Sequence, residues 1–241
     1  MRYKCAMSRR TDPVRRRAPD IAPLASVLAD PSRVAMLDVL LDGGAHAIGA
    51  LARRAGVTPA TASSHLRKLL DAELVVVAPE GRERHVRLAS PDVAELLERL
   101  ATLAVPGLAP SVQLRFARTC YDHLAGVLAV LVGNAFVARG WLHRTTDNFE
   151  PAPALLDWLA AHDHPVPITG ARRPLSRACV DWTERVPHLA GRVGAALALV
   201  FVDHGWVMRV RASRALRLTE RGRLALAREL GVTLPAPRSR A

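Results

Sequence analysis

The first hundred residues carry apolar positions at helical spacing, interrupted at intervals by Gly and Pro. They predict a first helix over 21–29 and a second that starts at Ser32, after an Asp-Pro break. A Gly-Gly pair at 43–44 ends the second helix, and Gly56 ends a third. The second and third helices carry apolar residues expected in a core. In the second helix these are Val34, Leu37, Val39, Leu40 and Leu41, and in the third they are Ile48, Leu51, Ala52 and Ala55.

A fourth helix is predicted over 59–72, because Thr58 is a good N-cap and Pro59 suits the first helical position. One face of this helix is apolar, and the opposite face consists of small hydrogen-bonding and cationic residues. The apolar face contains Ala62, Leu66, Leu69 and Leu70, and the polar face contains Thr61, Ser63, Ser64, Arg67 and Lys68.

Two short runs at 74–78 and 83–89, separated by a turn at 79–82, predict a β-hairpin with a basic tip. A Ser-Pro pair then caps a further helix over 92–104. Its predicted apolar stripe consists of Val93, Leu96, Leu97, Leu100 and Leu103. The Pro-rich segment at 106–110 marks a boundary, so one domain is expected over 21–105.

The second half contains an internal repeat. HLAG at 123–126 recurs at 188–191, and Phe-Val and Gly-Trp pairs recur at the same offset. Each copy predicts a helix that ends before Gly-Trp, then an extended segment and a last helix. We expect a second domain over 111–234, built from two tandem degenerate winged-helix-like repeats at about 118–165 and 177–232. The fold class is therefore mainly α with small β-hairpins (α+β).

Composition adds a strong positive charge. The formal net charge is +12, and this excess of Arg favours a polyanionic partner such as nucleic acid. The basic segment 1–20 and the tail 235–241 are expected to be disordered. Three cysteines (Cys5, Cys120, Cys179) do not make a disulfide framework, and no apolar run is long enough to span a bilayer. A cytoplasmic protein with reduced thiols and no membrane partner is expected.

Three stretches carry a family resemblance: LADPSRVAMLDVL at 28–40, TPATASSHLRKLLDAELV at 58–75 and EGRERHVRL at 80–88. Together they resemble the ArsR/SmtB-type winged helix-turn-helix regulators of bacteria. The resemblance implies a homodimeric DNA-binding repressor that reads an inverted-repeat operator through helix 59–72 and wing 75–89. It also implies a dimer interface formed by the outer helices, 21–29 and 92–104.

A helix of this kind reads base edges in the major groove of double-stranded DNA through its exposed N-terminal residues. The candidates for base contact are Thr61, Ser63, Ser64 and Arg67. Thr58 and Lys68 are expected to touch phosphate, and Arg82 and Arg84 in the wing suit phosphate or minor-groove contact. The resemblance gives His65 a structural role, between the recognition helix and the core.

The metal ligands of the best-known family members have no counterpart here, since 48–55 contains no Cys and 92–104 contains no His. A different site is predicted in the repeats. Cys120 and His123 are spaced i, i+3, which would place them on one helical face, and their counterparts in the second copy are Cys179, Asp181 and His188. Four interpretations stay open: zinc or another thiophilic metal, a thiol switch, an organic effector elsewhere, and a purely structural role for buried cysteines.

Sequence motifs of catalysis are missing, with no phosphate loop, nucleophile elbow or HExxH. The charged segment 181–185 is expected to be an ion-paired loop. We therefore expect a regulator without enzymatic activity, whose C-terminal domain senses a signal or stabilises the dimer. The alternatives are an enzyme or ligand-processing domain fused to a DNA-binding module, and an architectural DNA-binding protein without an effector.

Overall fold

The computed structural model describes residues 20–80, 83–104, 110–169, 173–211 and 213–234. The arm expected at 1–20, apart from Asp20, and the tail expected at 235–241 lie outside these residues. The described residues form an N-terminal part of five helices and one small sheet. A C-terminal part of five helices and four β-hairpins follows.

The N-terminal part is a winged helix-turn-helix. Its elements are α1 (Ala22–Leu28), α2 (Pro31–Leu40), β1 (His46–Ala47), α3 (Ile48–Ala55), α4 (Pro59–Asp71), β2 (Val75–Glu80), β3 (Glu83–Leu88) and α5 (Pro91–Leu103). The strands form an antiparallel sheet in the order β1-β3-β2, in which β2 and β3 are the wing. The helices begin where the sequence predicts, because Asp30, Thr58 and Ser90 each accept backbone N–H bonds at an N-terminus.

One predicted core position in α2 is wrong. Val34 is 45% exposed, whereas Met36 is fully buried. The buried face of α2 runs through Arg33, Met36, Leu37 and Leu40, which is i, i+3, i+4, i+7 spacing that leaves position 34 outside.

The apolar stripe predicted on α5 is also displaced. Within this chain α5 buries Ala94 and Glu98, while Leu100 is 41% exposed and Leu103 is 82% exposed. Glu98 faces inward because Arg214 from the C-terminal part reaches its carboxylate, at 2.7 Å. The leucines at the C-terminal end of α5 therefore form an apolar surface that the described part of the chain leaves exposed.

After α6 (Val112–Phe116), the C-terminal part repeats one ββαββα unit. The first unit contains β4 (Arg118–Cys120), β5 (His123–Ala125), α7 (Val127–Ala138), β6 (Leu142–Arg144), β7 (Phe149–Pro151) and α8 (Pro153–Ala161). The second contains β8 (Arg177–Val180), β9 (Pro187–Ala190), α9 (Gly191–Asp203), β10 (Val207–Arg209), β11 (Leu216–Leu218) and α10 (Glu220–Leu230). Each pair of consecutive strands is an antiparallel hairpin.

The prediction that HLAG belongs to a helix is wrong. In both copies His-Leu-Ala ends a strand, and the glycine turns the chain into the following helix. Gly126 has φ +85°, and a Cβ there would lie 2.5 Å from the Arg115 carbonyl oxygen; Gly191 has φ +81° and is equally crowded. The apolar run beyond each glycine forms α7 and α9, so a continuous hydrophobic pattern hides the change from strand to helix.

The two repeat units share one core. It is aliphatic with a few aromatic rings, and its centre includes Leu128, Phe136, Val193, Phe201 and Trp206. Trp206 is 3% exposed and Trp141 packs against the same cluster, so both tryptophans of the repeat contribute to the core. None of the described helices combines the length and apolar character that crossing a membrane requires.

Candidate functional site

Helix α4 presents a polar face to solvent. Its apolar face is buried through Ala62, Leu66 and Leu69. The predicted contact residues are all exposed: Thr58, Thr61, Ser63, Ser64, Arg67 and Lys68. This arrangement leaves the cationic and hydroxyl groups of the second helix of the helix-turn-helix available to a partner.

The hydroxyl groups on this face are not equivalent. Thr58 caps α4 by accepting a bond from the Thr61 N–H, and the Thr58 and Thr61 hydroxyls lie 2.9 Å apart. The Ser63 hydroxyl donates to the Pro59 carbonyl, at 2.8 Å. Within the described residues Ser64, Arg67 and Lys68 have no such intramolecular partner, so their polar atoms are free to bind a ligand.

His65 lies on the inner side of α4. Its Nδ1 is 3.4 Å from the Arg33 guanidinium and 4.0 Å from the Asp30 carboxylate. Arg33 also donates to the carbonyls of Ser26 and Val27 at the end of α1. His65 therefore joins the recognition helix to the start of α2, which is the structural role expected of it.

The wing is described only in part. Arg82 lies outside the described residues. For Arg84 the backbone is paired with Pro79 in the wing hairpin, and its side chain lies outside the description. The contacts proposed for these two residues stay predictions.

Two hairpins of the C-terminal part bring two cysteines and two histidines together. Cys120 of β4 is the cross-strand partner of His123 of β5, and Cys179 of β8 is the partner of His188 of β9. Cross-strand neighbours point to the same face of a hairpin, so each hairpin offers one thiol and one imidazole. The two hairpins face each other, and contacts join β5 to β9.

The four side chains converge on one buried point. Their ligand atoms all lie within 4.8 Å of one another, and all four residues are buried. The two Sγ atoms are 3.8 Å apart, and the Nε2 atoms of His123 and His188 are 3.1 Å apart. We call these residues, Cys120, His123, Cys179 and His188, the Cys-His centre.

The geometry differs from the sequence prediction in two respects. Cys120 and His123 do not share a helical face; they lie on adjacent strands joined by a two-residue turn. The i, i+3 spacing fits a tight hairpin as well as a helix. The sequence favours the helix because a long apolar run follows. Asp181 does not belong to the group of converging ligand atoms and lies behind His188, with 3.6 Å between its carboxylate and Nδ1.

Each histidine of the centre has a carboxylate on its other side. His123 Nδ1 is 3.3 Å from Asp122, as His188 Nδ1 is 3.6 Å from Asp181. Both carboxylates are held by arginines, since Arg173 binds Asp122 and Arg118 binds Asp181. The imidazoles are thereby oriented with Nε2 towards the centre.

Arg118 and Asp181 form an ion pair in which both side chains are 0% exposed, with N–O 2.9 Å. The Asp181 carboxylate also accepts hydrogen bonds from the Gly126 N–H and from Thr183. The charged segment 181–185 is therefore ion-paired, as the sequence predicts. Burial works against ionisation of Asp181, but the Arg118 charge outweighs it and lowers the pKa of the carboxyl. Sequence reasoning missed Arg118, because one arginine among many carries no pattern.

The centre favours a thiolate. A hydrogen bond from the Cys120 thiol, with further bonds from the histidines, holds the pKa of Cys179 far below its usual range although burial opposes this. The same bond and burial raise the pKa of Cys120. Burial tends to lower the pKa of His123, but Asp122 and the Cys179 thiolate outweigh it and raise this pKa to about 9. The thiolate is the form in which cysteine reacts and binds metals.

Comparisons with known proteins agree with the first domain. Residues 28–78 match a family model described as a helix-turn-helix domain. A Bacillus subtilis protein, the uncharacterized HTH-type transcriptional regulator YdfF, is 38% identical over 224 residues, which cover 90% of this chain and 99% of the relative. The chain belongs to the HTH-type transcriptional regulators. Its N-terminal part has the helices and the wing, in the same order, that the ArsR/SmtB resemblance implies.

A shorter relative covers only that part of the regulator. The HTH-type transcriptional regulator CmtR of Mycobacterium tuberculosis is 39% identical over 85 residues, which are 35% of this chain and 71% of the relative. The solved structure of CmtR, described as a cadmium metal-sensor, covers 38% of this chain and 96% of its own, with a TM-score of 0.31.

In this HTH-type regulator, the turn of the first hairpin contacts the winged-helix part. Tyr121 follows Cys120, packs against the core of the N-terminal part, and its N–H donates to the Leu41 carbonyl at the end of α2, at 2.6 Å. Gly43 lies directly against the turn, because a Cβ there would be 2.5 Å from the Tyr121 carbonyl oxygen. A residue next to a member of the Cys-His centre thus touches the helix-turn-helix.

Arg214 provides a second connection in the regulator. It is 8% exposed and binds Glu98 of α5 and Asp38 of α2, at 2.7 and 2.9 Å. It also donates to the carbonyl of Thr119, the neighbour of Cys120. Arg214 therefore links the first hairpin to two helices of the winged-helix part.

Proposed function

We propose that this regulator is a homodimeric repressor that reads an inverted-repeat operator through α4 and the wing, and that its signal acts on the Cys-His centre. The observation that carries the DNA-binding assignment is the exposed face of α4. A helix with short polar side chains and an arginine on its open side fits the major groove, where such groups contact base edges. The high positive charge of the chain supplies the attraction to phosphate.

The free polar atoms narrow the assignment of base contacts. Ser64 and Arg67 are proposed to read bases. The hydroxyls of Thr58 and Ser63 instead stabilise the first turn of α4 and contact DNA with their remaining hydrogen-bonding capacity. Lys68 lies one turn after Ser64 and suits a phosphate. Arg82 and Arg84 are proposed to extend the contact to phosphate or the minor groove.

The dimer is proposed to form through the outer helices. Ile21, just before α1, is 71% exposed, and Leu100 and Leu103 of α5 are 41% and 82% exposed. Burying such leucines stabilises an interface by about 25 cal/mol per Å². A twofold dimer places two α4 helices one turn of DNA apart, about 34 Å, which matches an inverted repeat.

The Cys-His centre is proposed as the place where the signal acts, because it joins a set of reactive side chains to the helix-turn-helix through Tyr121. The signal is then transmitted by the Tyr121 turn and by Arg214. Effector binding is proposed to favour the arrangement in which the two α4 helices are wrongly spaced for the operator, so that repression is released.

A thiol switch is the second candidate for the signal, supported by the approach of the two Sγ atoms to 3.8 Å. Forming a disulfide would require them to close to about 2.05 Å, with a two-electron oxidant such as a peroxide or another disulfide taking the electrons and solvent taking the thiol protons. In such a switch the two histidines would only help to hold the Cys179 thiolate, whereas a metal would use all four side chains as ligands.

The DNA-binding proposal is tested on an operator selected from a random duplex pool. We expect Arg67→Ala and Ser64→Ala to weaken operator binding about 5- to 100-fold, since one base contact is worth about 1–3 kcal/mol, and to change binding to random DNA far less. Arg221→Ala, at an exposed arginine of α10, is the matched control and should leave operator preference unchanged. Equal losses on operator and random DNA would remove α4 from base recognition.

A further inference from the structure

We propose that the Cys-His centre is a tetrahedral binding site for one zinc-class cation, held by two thiolates and two imidazoles. This deepens the proposed function by naming the ligand that acts there. The four ligands are Cys120, His123, Cys179 and His188, and they come from the equivalent hairpins of the two repeats.

The distances between ligand atoms agree with a tetrahedron. A cation about 2.3 Å from sulfur and about 2.05 Å from nitrogen places two thiolates about 3.8 Å apart and two imidazole nitrogens about 3.3 Å apart. The observed separations are 3.8 Å for the sulfurs and 3.1 Å for the nitrogens. Hairpin geometry thus brings all four ligand atoms within 4.8 Å of one another, and a cation would draw the widest-spaced pair closer together.

The chemistry of the ligands selects the class of cation. Magnesium and calcium require oxygen ligands, and no carboxylate belongs to the set of converging atoms. Two thiolates and two imidazoles suit zinc and neighbouring thiophilic divalent ions such as cadmium and cobalt. Binding displaces the remaining thiol protons to solvent, and two thiolates neutralise the charge of the ion inside a buried site.

The surroundings of the histidines provide independent support. Metal-bound histidines in proteins commonly donate their second ring N–H to a carboxylate, which fixes the tautomer and strengthens the ligand. Asp122 and Asp181 stand at those positions, and each is anchored by an arginine. A disulfide between the cysteines would leave both Nε2 atoms, which face the centre, without a ligand to hold.

Burial gives a further argument. Each of the four residues is at most 8% exposed, so water cannot satisfy their polar atoms freely. His188 Nδ1 lies 3.6 Å from Asp181, outside hydrogen-bond range, and is a buried atom without a hydrogen-bond partner among the described residues. A small rotation of the His188 ring would satisfy both of its nitrogens. Nε2 would bind the cation, and the Nδ1–H would donate to the Asp181 carboxylate.

The test is a cobalt titration of the full-length protein, reduced and freed of metal under anaerobic conditions. Cobalt occupies tetrahedral zinc sites and absorbs visible light there, with added thiolate-to-metal charge transfer in the near ultraviolet. We expect one equivalent per chain, both absorptions, and displacement of cobalt by one equivalent of zinc. Cys120→Ser and Cys179→Ser should lower the affinity more than about 100-fold, because losing a direct ligand costs more than losing an outer partner.

Cys5→Ser is the matched control, because it makes the same chemical change at the remaining cysteine and should leave the titration unchanged. Alkylation of the thiols in the unaltered protein tests the site without any substitution, so the test remains valid if the serine variants fail to fold. Zinc should protect the thiols of Cys120 and Cys179 from alkylation, at least about 10-fold in rate.

Absence of the tetrahedral cobalt spectrum together with unprotected thiols would overturn the proposal. Rapid oxidation to a Cys120–Cys179 disulfide in the presence of zinc would overturn it in favour of the thiol switch. Because the titration contains no DNA, its result is independent of the operator experiment, and either proposal can fail alone.

Discussion

At the scale of single residues, the surroundings of the Cys-His centre are built from buried charges. Arg118 and Asp181 are fully buried, whereas the neighbouring pair Arg115–Glu184 connects the same two segments near the surface, with Arg115 60% exposed. A buried charge that loses its partner is costly, whereas an exposed pair contributes little. The two pairs therefore allow a matched comparison.

Arg118→Ala should lower the free energy of unfolding by about 3–5 kcal/mol, because it leaves the Asp181 carboxylate buried and uncompensated. Arg115→Ala should lower it by less than about 1 kcal/mol. Urea unfolding followed by circular dichroism measures both. Similar losses for the two variants would contradict the importance given to the buried pair.

Residue-scale chemistry was only partly visible in the sequence. The exposed face of α4 was predicted in full, because helical period and the Thr58–Pro59 cap fix which side chains point outward. The repeat alone indicates four members of the centre: Cys120, His123, Cys179 and His188.

The sequence does not indicate the residues that surround the centre, because their roles come from contacts between residues far apart in sequence. These residues are Asp122, Arg118, Arg214 and Tyr121.

At the scale of elements, the first hairpin of the C-terminal part joins the centre to the helix-turn-helix. Its turn lies between Cys120 and His123, and Tyr121 in that turn contacts the end of α2. Fixing both ends of so short a turn fixes the position of Tyr121. This gives the proposed signal a physical route to α2.

Gly43→Ala tests that route, because the added Cβ would push against the Tyr121 carbonyl. We expect the variant to bind cobalt normally and to lose most of the effect of zinc on operator affinity, leaving less than about twofold of a coupling that is typically 5- to 150-fold. Gly140→Ala is the control, since Gly140 has a similar φ of +67° and open space around it. A full zinc response in Gly43→Ala would exclude the turn as the route.

Elements were predicted well where caps mark their ends and poorly where they do not. Asp30, Thr58 and Ser90 cap three helices of the N-terminal part, and these begin at Pro31, Pro59 and Pro91, within one residue of the predicted starts. The sequence predicts a helix for the HLAG strands, because His-Leu-Ala before a glycine and a long apolar run carries no period that separates strand from helix. Only the positive φ of Gly126 and Gly191 reveals the change.

At the scale of the whole molecule, the repeat explains why the centre lies where it does. Each unit supplies one cysteine and one histidine, so the centre is complete only when the two units pack together. The same packing forms their shared core. Contacts from Arg214 and Tyr121 then connect this C-terminal body to the DNA-binding part.

The central claim is that occupation of the Cys-His centre changes DNA binding. The most direct measurement is the affinity of the full-length protein for its selected operator, by fluorescence anisotropy, with and without one equivalent of zinc, and in parallel for Cys179→Ser. We expect zinc to weaken operator binding about 5- to 150-fold in the unaltered protein and to have no effect on the variant. An operator affinity that bound zinc leaves unchanged would contradict the claim and reduce the cation to a structural role.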